Sequence, residues 1–174
     1  MIENRSSFSA VARDHAVIVF GGYISQSGEI SGSCEEFSPA TSTWRKLPPM
    51  PTPRYGTGAA HIPGLGDIVV GGTTSTGNCN EAEIFLTTSS PLGLASSWCE
   101  IAPMLHSRSY PAAEFFNGNV YVARGSMEML SFFTEGPPQW TEVLKPTLKL
   151  NSLISFNGSL LFGGESCSLL FNIF

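Results

Sequence analysis

The feature that most constrains this chain is a short β-branched and aromatic run that stops on glycine and then returns. Ala16-Val17-Ile18-Val19-Phe20 ends on Gly21-Gly22, and Asp67-Ile68-Val69-Val70 ends on Gly71-Gly72. Val120-Tyr121-Val122-Ala123-Arg124-Gly125 and Ser159-Leu160-Leu161-Phe162-Gly163-Gly164 are further copies, the former weakened. Such runs read as strands and are too short for helices. The closing glycines predict positive φ or a close approach of main chain. Other residues keep step with them. Second glycines at 22, 72, 125 and 164 are separated by 50, 53 and 39 residues. Arg5, Arg54 and Arg108 precede theirs by 17, 18 and 17, and Lys149 precedes the last by 15. Trp44, Trp98 and Trp140 lie 10, 10 and 9 residues before Arg54, Arg108 and Lys149, the basic residues that open the next repeats. Several residue classes recurring in phase define an internal repeat.

Within each unit the order is an apolar run with Gly-Gly, an acidic-x-aromatic pair (Glu35-x-Phe37, Glu83-x-Phe85), Trp, Pro-Met (Pro49-Met50, Pro103-Met104) and Arg. This order resembles the Kelch repeat, most closely over Cys34 to Trp44, and the resemblance extends from about Arg5 to Phe174. It implies an all-β chain in which each repeat is a four-stranded antiparallel blade of a β-propeller. The residues agree on their own terms. Ser7 to Ala12 and Ala59 to Ile62 read as strands, and Asn117-Gly118 and Asn157-Gly158 are hairpin signals. Asp14-His15 and Pro63-Gly64-Leu65-Gly66 fill the same slot earlier in the chain.

The repeats are placed at 5–53, 54–107, 108–148 and 149–174, after a short tail at 1–4. The third is degenerate, with Arg124 in place of a glycine and Pro146 where methionine is expected; the fourth stops before its tryptophan. About three and a half blades cannot close a propeller of 4–8, so the count predicts an open arc and part of a longer protein.

A net charge of −5 with only nine Lys plus Arg argues against a nucleic-acid surface, and no basic run or amphipathic helix suggests membrane docking. No apolar signal core is present, so the cytoplasm is the expected location. Cys34, Cys79, Cys99 and Cys167 lack metal-site spacing. Cys34 and Cys167 read as buried thiols in strands, and Cys79, in a polar loop, as the exposed one.

Catalysis is not expected, nor is a metal or cofactor. His15, His61 and His106 are isolated, the two aspartates Asp14 and Asp67 occupy turn slots, and no nucleophile elbow or phosphate-cradling loop occurs. Gly21, Gly22, Gly71, Gly72, Gly125, Gly163, Gly164 and the three tryptophans read as architecture, the aromatics filling space between twisted blades. Glu35 and Glu83 could pair with a blade arginine or face solvent.

Two long polar loops follow the glycine pairs, Tyr23 to Ser33 and Thr73 to Asn80, and a polar insertion runs from Thr87 to Ser96. One reading of the recurring arginines is that they brace the blades. By the Kelch resemblance, however, they also lie near the channel mouth where those loops emerge. Arg54, Tyr55, Arg108, Ser109 and Tyr110, with Tyr23, Ser25 and Gln26, are therefore the candidate partner-binding set. Arginine suits bidentate carboxylate recognition and tyrosine supplies rigid contact area, so an acidic or phosphorylated peptide is the expected partner class. The resemblance further implies a protein-interaction module, as in the substrate-recognition part of BTB-Kelch adaptors for cullin-type ubiquitin ligases. That link would run through domains not present in this sequence. The alternatives are an actin-binding cytoskeletal protein and a propeller oxidase.

Overall fold

The computed structural model describes the chain except for residues 14, 87–95, 133–135, 145–149, 165–166 and 172–174, and gives backbone alone for 167–171. Every regular element among the described residues is a strand. Blade 1 contains β1 (Ser9–Arg13) and β2 (Ala16–Phe20), followed by a small ribbon of β3 (Tyr23–Ile24) and β4 (Glu29–Ile30), then β5 (Cys34–Ser38) and β6 (Thr43–Leu47). Blade 2 repeats this plan: β7 (Gly58–Ile62), β8 (Gly66–Val70), a ribbon of β9 (Thr73–Thr74) and β10 (Gly77–Asn78), then β11 (Ala82–Leu86) and β12 (Ser97–Ile101). Blade 3 has β13 (Ala112–Phe116), β14 (Asn119–Arg124), β15 (Ser126–Ser131) and β16 (Gln139–Leu144). The last blade shows β17 (Leu150–Phe156), β18 (Ser159–Gly164) and β19 (Cys167–Phe171). Among the described residues all pairings are antiparallel between consecutive blade strands, giving three four-stranded sheets, one three-stranded sheet and the two ribbons. Among the described residues no sheet closes on itself, and the arrangement is that of a partial propeller, consistent with the Kelch resemblance.

Blades touch through their first strands, β1 against β7, β7 against β13 and β13 against β17. These strands therefore lie nearest the axis, and small residues such as Ala10, Ala12, Ala59 and Ala60 let them converge. The hydrophobic cores lie between blades rather than within any one. Phe20, Met50 and Val69 join blades 1 and 2. Ile68, Met104 and Val122 join blades 2 and 3, and Phe116, Met127 and Leu160 join blades 3 and 4. A blade alone would leave both broad faces wet, so each needs its neighbour. β8 shows this directly: all five of its residues are buried, because sheets cover both its faces.

The tryptophans follow the same logic. Trp98 sits 5.7 Å from Phe20 of the preceding blade and donates its indole N–H to Pro48 O at 3.0 Å. Trp140 donates to Ala102 O at 2.8 Å. Trp44 instead leans on Phe37 of its own blade, 5.0 Å away.

Several expectations are corrected. Asp67 is not a turn residue. It lies in β8, fully buried, where it pairs with Arg13 of blade 1 and meets His61 Nδ1 at 2.8 Å. Cys79 is buried, and burial pushes its thiol up to about 11; Cys34, still deeper, reaches about 12. Cys99 is the exposed thiol among the described residues. The two post-glycine loops are folded back as ribbons. Gly163 and Gly164 are not a left-handed joint but lie inside β18, paired with Ser152 and Leu150. Asp14, most of the insertion at 87–96, Pro146 and Lys149 fall outside the described residues, as does the Cys167 side chain.

Candidate functional site

The site is assembled at the joint between blades. Gly21 and Gly22 take φ of 59° and 111°, and Gly71 and Gly72 take 58° and 102°. A Cβ on Gly21 would stand 2.3 Å from Arg54 O, and one on Gly71 would stand 2.6 Å from Arg108 O. Only glycine admits this approach. It allows Gly22 N–H to donate to Arg54 O at 2.9 Å and Gly72 N–H to donate to Arg108 O at 2.7 Å. Each glycine pair thus receives the start of the next repeat.

The repeat-leading arginines turn inward. Arg5 Nη1 donates to Gly21 O and Ser33 O, and Nη2 to Glu35 at 2.5 Å. Arg54 Nη1 donates to Gly71 O and Glu81 O, and Nη2 to Glu83 at 2.7 Å. Arg108 Nη1 donates to Arg124 O and Ser126 O, and Nη2 to Glu128 at 2.5 Å. Each guanidinium ties the end of the second strand to the approach of the third. Arg54 is 0% exposed and Arg108 4%. The expectation that these two reach a partner is therefore corrected. Their charges are matched inside the blade, where removing a partner is costly. Glu35 and Glu83 are their partners rather than solvent-facing residues, and Glu128 plays that part in blade 3.

What reaches the surface is aromatic. Tyr23 and Tyr55 meet edge to face with centroids 5.9 Å apart, and Tyr55 meets Tyr110 at 6.5 Å. The three tyrosines come from successive blades and form one row on the rim. Tyr110 is 48% exposed and holds φ at 51°, a left-handed conformation that is costly for a bulky residue. Its ring lies over Gly56, where a Cβ would come within 3.0 Å, and its hydroxyl donates to Ser7 Oγ at 3.0 Å. Main chain runs alongside: Gly56 N–H donates to Ser7 O, and Tyr110 N–H to Gly56 O. Ser109 is half-buried next to this row, while Ser25 and Gln26 are exposed at the tip of the β3–β4 ribbon.

Between the two ribbons opens a cleft of about 760 Å³, with Ile24, Glu29, Ile30, Thr74 and Ser75 on its walls and Glu3 at its edge. No lysine or arginine lines it. Among the described residues no three His, Cys, Asp or Glu side chains gather as a metal site, and no helix is long and apolar enough to cross a membrane.

Comparison with known proteins agrees with this architecture. The Kelch motif matches residues 4–51, which contain blade 1. A putative F-box/kelch-repeat protein of Arabidopsis thaliana is 25% identical over 142 residues, covering 77% of this chain. The match spans 39% of that relative's length. With the blade recurring along the chain, these matches support a Kelch-repeat family.

Proposed function

We propose that this Kelch-repeat chain is a protein-interaction module whose partner docks on the tyrosine row and in the cleft between the two ribbons. The observation that carries this reading is Tyr110. A large aromatic is held half-exposed in a strained backbone, at a position filled by Ser7 and Gly56 in the preceding repeats. Strain of this kind persists where the surrounding structure and function maintain it. Tyrosines offer broad contact area at low entropic cost. The acidic or phosphorylated peptide inferred from Arg54 and Arg108 loses its donors, since both guanidiniums are consumed internally. A neutral or basic segment suits walls that carry Glu3 and Glu29.

For the larger role, we favour substrate recognition within a ubiquitin-ligase adaptor; the F-box/kelch-repeat name of the relative supports that direction. The geometry adds nothing in favour of the actin or oxidase alternatives.

Selection of peptides from a random display library on this chain tests the reading. Enriched peptides should lose about tenfold or more in affinity on Tyr110→Gly, which removes the ring while relieving the backbone. Arg45→Ala, on the exposed outer strand, should leave affinity unchanged. Equal binding to both variants would overturn the rim reading.

A further inference from the structure

The three arginine–glutamate braces are the same device built three times, and they are not equally complete. In blade 1, Glu35 also accepts Ile2 N–H at 2.6 Å and Glu3 N–H at 3.0 Å. In blade 3, Glu128 accepts Leu105 N–H at 2.7 Å and His106 N–H at 3.1 Å. Ile2 and Leu105 each stand three residues before the brace arginine. In blade 2 that position is Pro51, which has no N–H to give. Glu83 is 1% exposed, and its Oε1 has no hydrogen-bond partner.

The surroundings of Glu35 and Glu83 differ in the same direction, although Glu128 in blade 3 also stands opposite a glutamate, Glu142. Opposite Glu35 across the strand pair is Lys46, which reaches Glu3 at 3.5 Å. Opposite Glu83 is Glu100, a like-charge pairing that opposes the sheet. Two residues before Glu35 stands Ser33, whereas two before Glu83 stands Glu81. Hydrogen bonding from Cys79 holds the Glu81 carboxyl below its ordinary value, so it is ionised at neutral pH. These groups line a cavity of about 370 Å³ walled by Thr52, Glu81, Glu83, Glu100, Ile101 and Pro103. Three glutamates therefore line one cavity, and the guanidinium beside it, that of Arg54, is ion-paired with Glu83 alone. The balance in blade 1 is even, with Glu3 and Glu35 against Arg5 and Lys46.

We propose that this blade 2 cavity binds a primary ammonium group, presented by a lysine side chain of a partner protein. The ammonium supplies what Lys46 and the Ile2 N–H supply in blade 1: a positive charge and donors for an unsatisfied buried oxygen. Thr52 borders both this cavity and the rim cleft, so a segment lying in the cleft passes the opening. The site stands on its own geometry and does not require the tyrosine row to bind anything.

Amide NMR titration of the chain with n-butylammonium, against 1-butanol as the uncharged isostere, tests the site. Butylammonium should give saturable shifts at residues 81–83 and 100–101, half-complete on the order of 10 mM because the charge pairs are partly screened. Butanol should not. Glu100→Lys rebuilds the blade 1 arrangement in place; it should abolish the shifts and raise the melting temperature. Glu81→Gln, which leaves the brace untouched, should weaken binding several-fold. Pro51→Ala restores a donor toward Glu83 and should also weaken it. Equal shifts with butanol, or butylammonium shifts that survive both glutamate variants, would overturn the assignment. Saturation of the same amides by calcium or magnesium ions at lower concentration than butylammonium would overturn it in favour of a metal site.

Discussion

In blades 1 and 2 the chain leaves the second strand through two left-handed glycines, folds a small ribbon, and only then enters the third strand. In blade 3, β14 turns directly into β15 through Gly125 alone, with Arg124 in the place of the first glycine. The difference is one of contact. Gly21 and Gly71 are pressed against the main chain of the following repeat, whereas a Cβ on Gly125 would meet nothing within 4 Å. The left-handed φ survives in all three blades, but the tight approach belongs to the first two. Without a ribbon, blade 3 cannot build a second cleft like that between β3–β4 and β9–β10. The rim is consequently asymmetric, and among the described residues the repeated scaffold yields one cleft of this kind.

Substitutions at the joint should separate the blades most strongly. Gly21→Ala drives a methyl into Arg54 O and strains the backbone, so it should cost about 3 kcal/mol or more and lower the melting temperature by roughly 10 °C. Gly125→Ala, which adds only the conformational penalty, should cost about 1 kcal/mol. Similar melting curves for the two variants would show that close approach is not what distinguishes the blades.

The braces should separate next. Arg54→Ala leaves Glu83 buried without a cation or a backbone donor, and should cost about 3–5 kcal/mol in urea unfolding. Arg108→Ala should cost less, about 2–3 kcal/mol, because Leu105 and His106 still donate to Glu128. Equal losses would mean that the Pro51 position does not matter to the brace.

The smallest effect concerns pH. Glu81 has a folded-state pKa below its ordinary 4.5, so its contribution is present above that value and fades as acid takes the pH through the folded value. Glu81→Gln should flatten the acid limb of the stability profile by a small amount, while Ser126→Ala at the corresponding place in blade 3 should leave its shape unchanged. An acid limb of unaltered shape in Glu81→Gln would remove Glu81 from the account.

The architecture was legible because its signals are local. A β-branched run, a glycine pair and a tryptophan repeat at nearly constant spacing, and each enforces its own piece of backbone or interface. The arginines were legible as a set but not in their role, since recurrence looks the same for a brace and for a binding residue. Their glutamates lie 30, 29 and 20 residues downstream, a distance that varies with loop length. Spacing alone could not join them. Glu128 was hidden for this reason, in a blade whose loop is missing. Asp67 beside Gly66 imitates a turn, and only the packing of blade 1 against β8 makes it a buried ion-pair partner for Arg13. Cys79 looked exposed in a polar loop that folds back onto the joint.

The sequence by itself determined that a strand-rich unit recurs and that glycine pairs stand at the joints of the first two blades. Those are consequences of chain geometry over a few residues. Tertiary structure decided which charges are satisfied and which remain available. Arg54 and Arg108 were drawn into the blades, Tyr23, Tyr55 and Tyr110 were gathered from three repeats into one row, and Glu83 was left with an unmatched oxygen. Burial and electrostatic balance depend on groups brought together from distant parts of the chain, and no local pattern records that meeting.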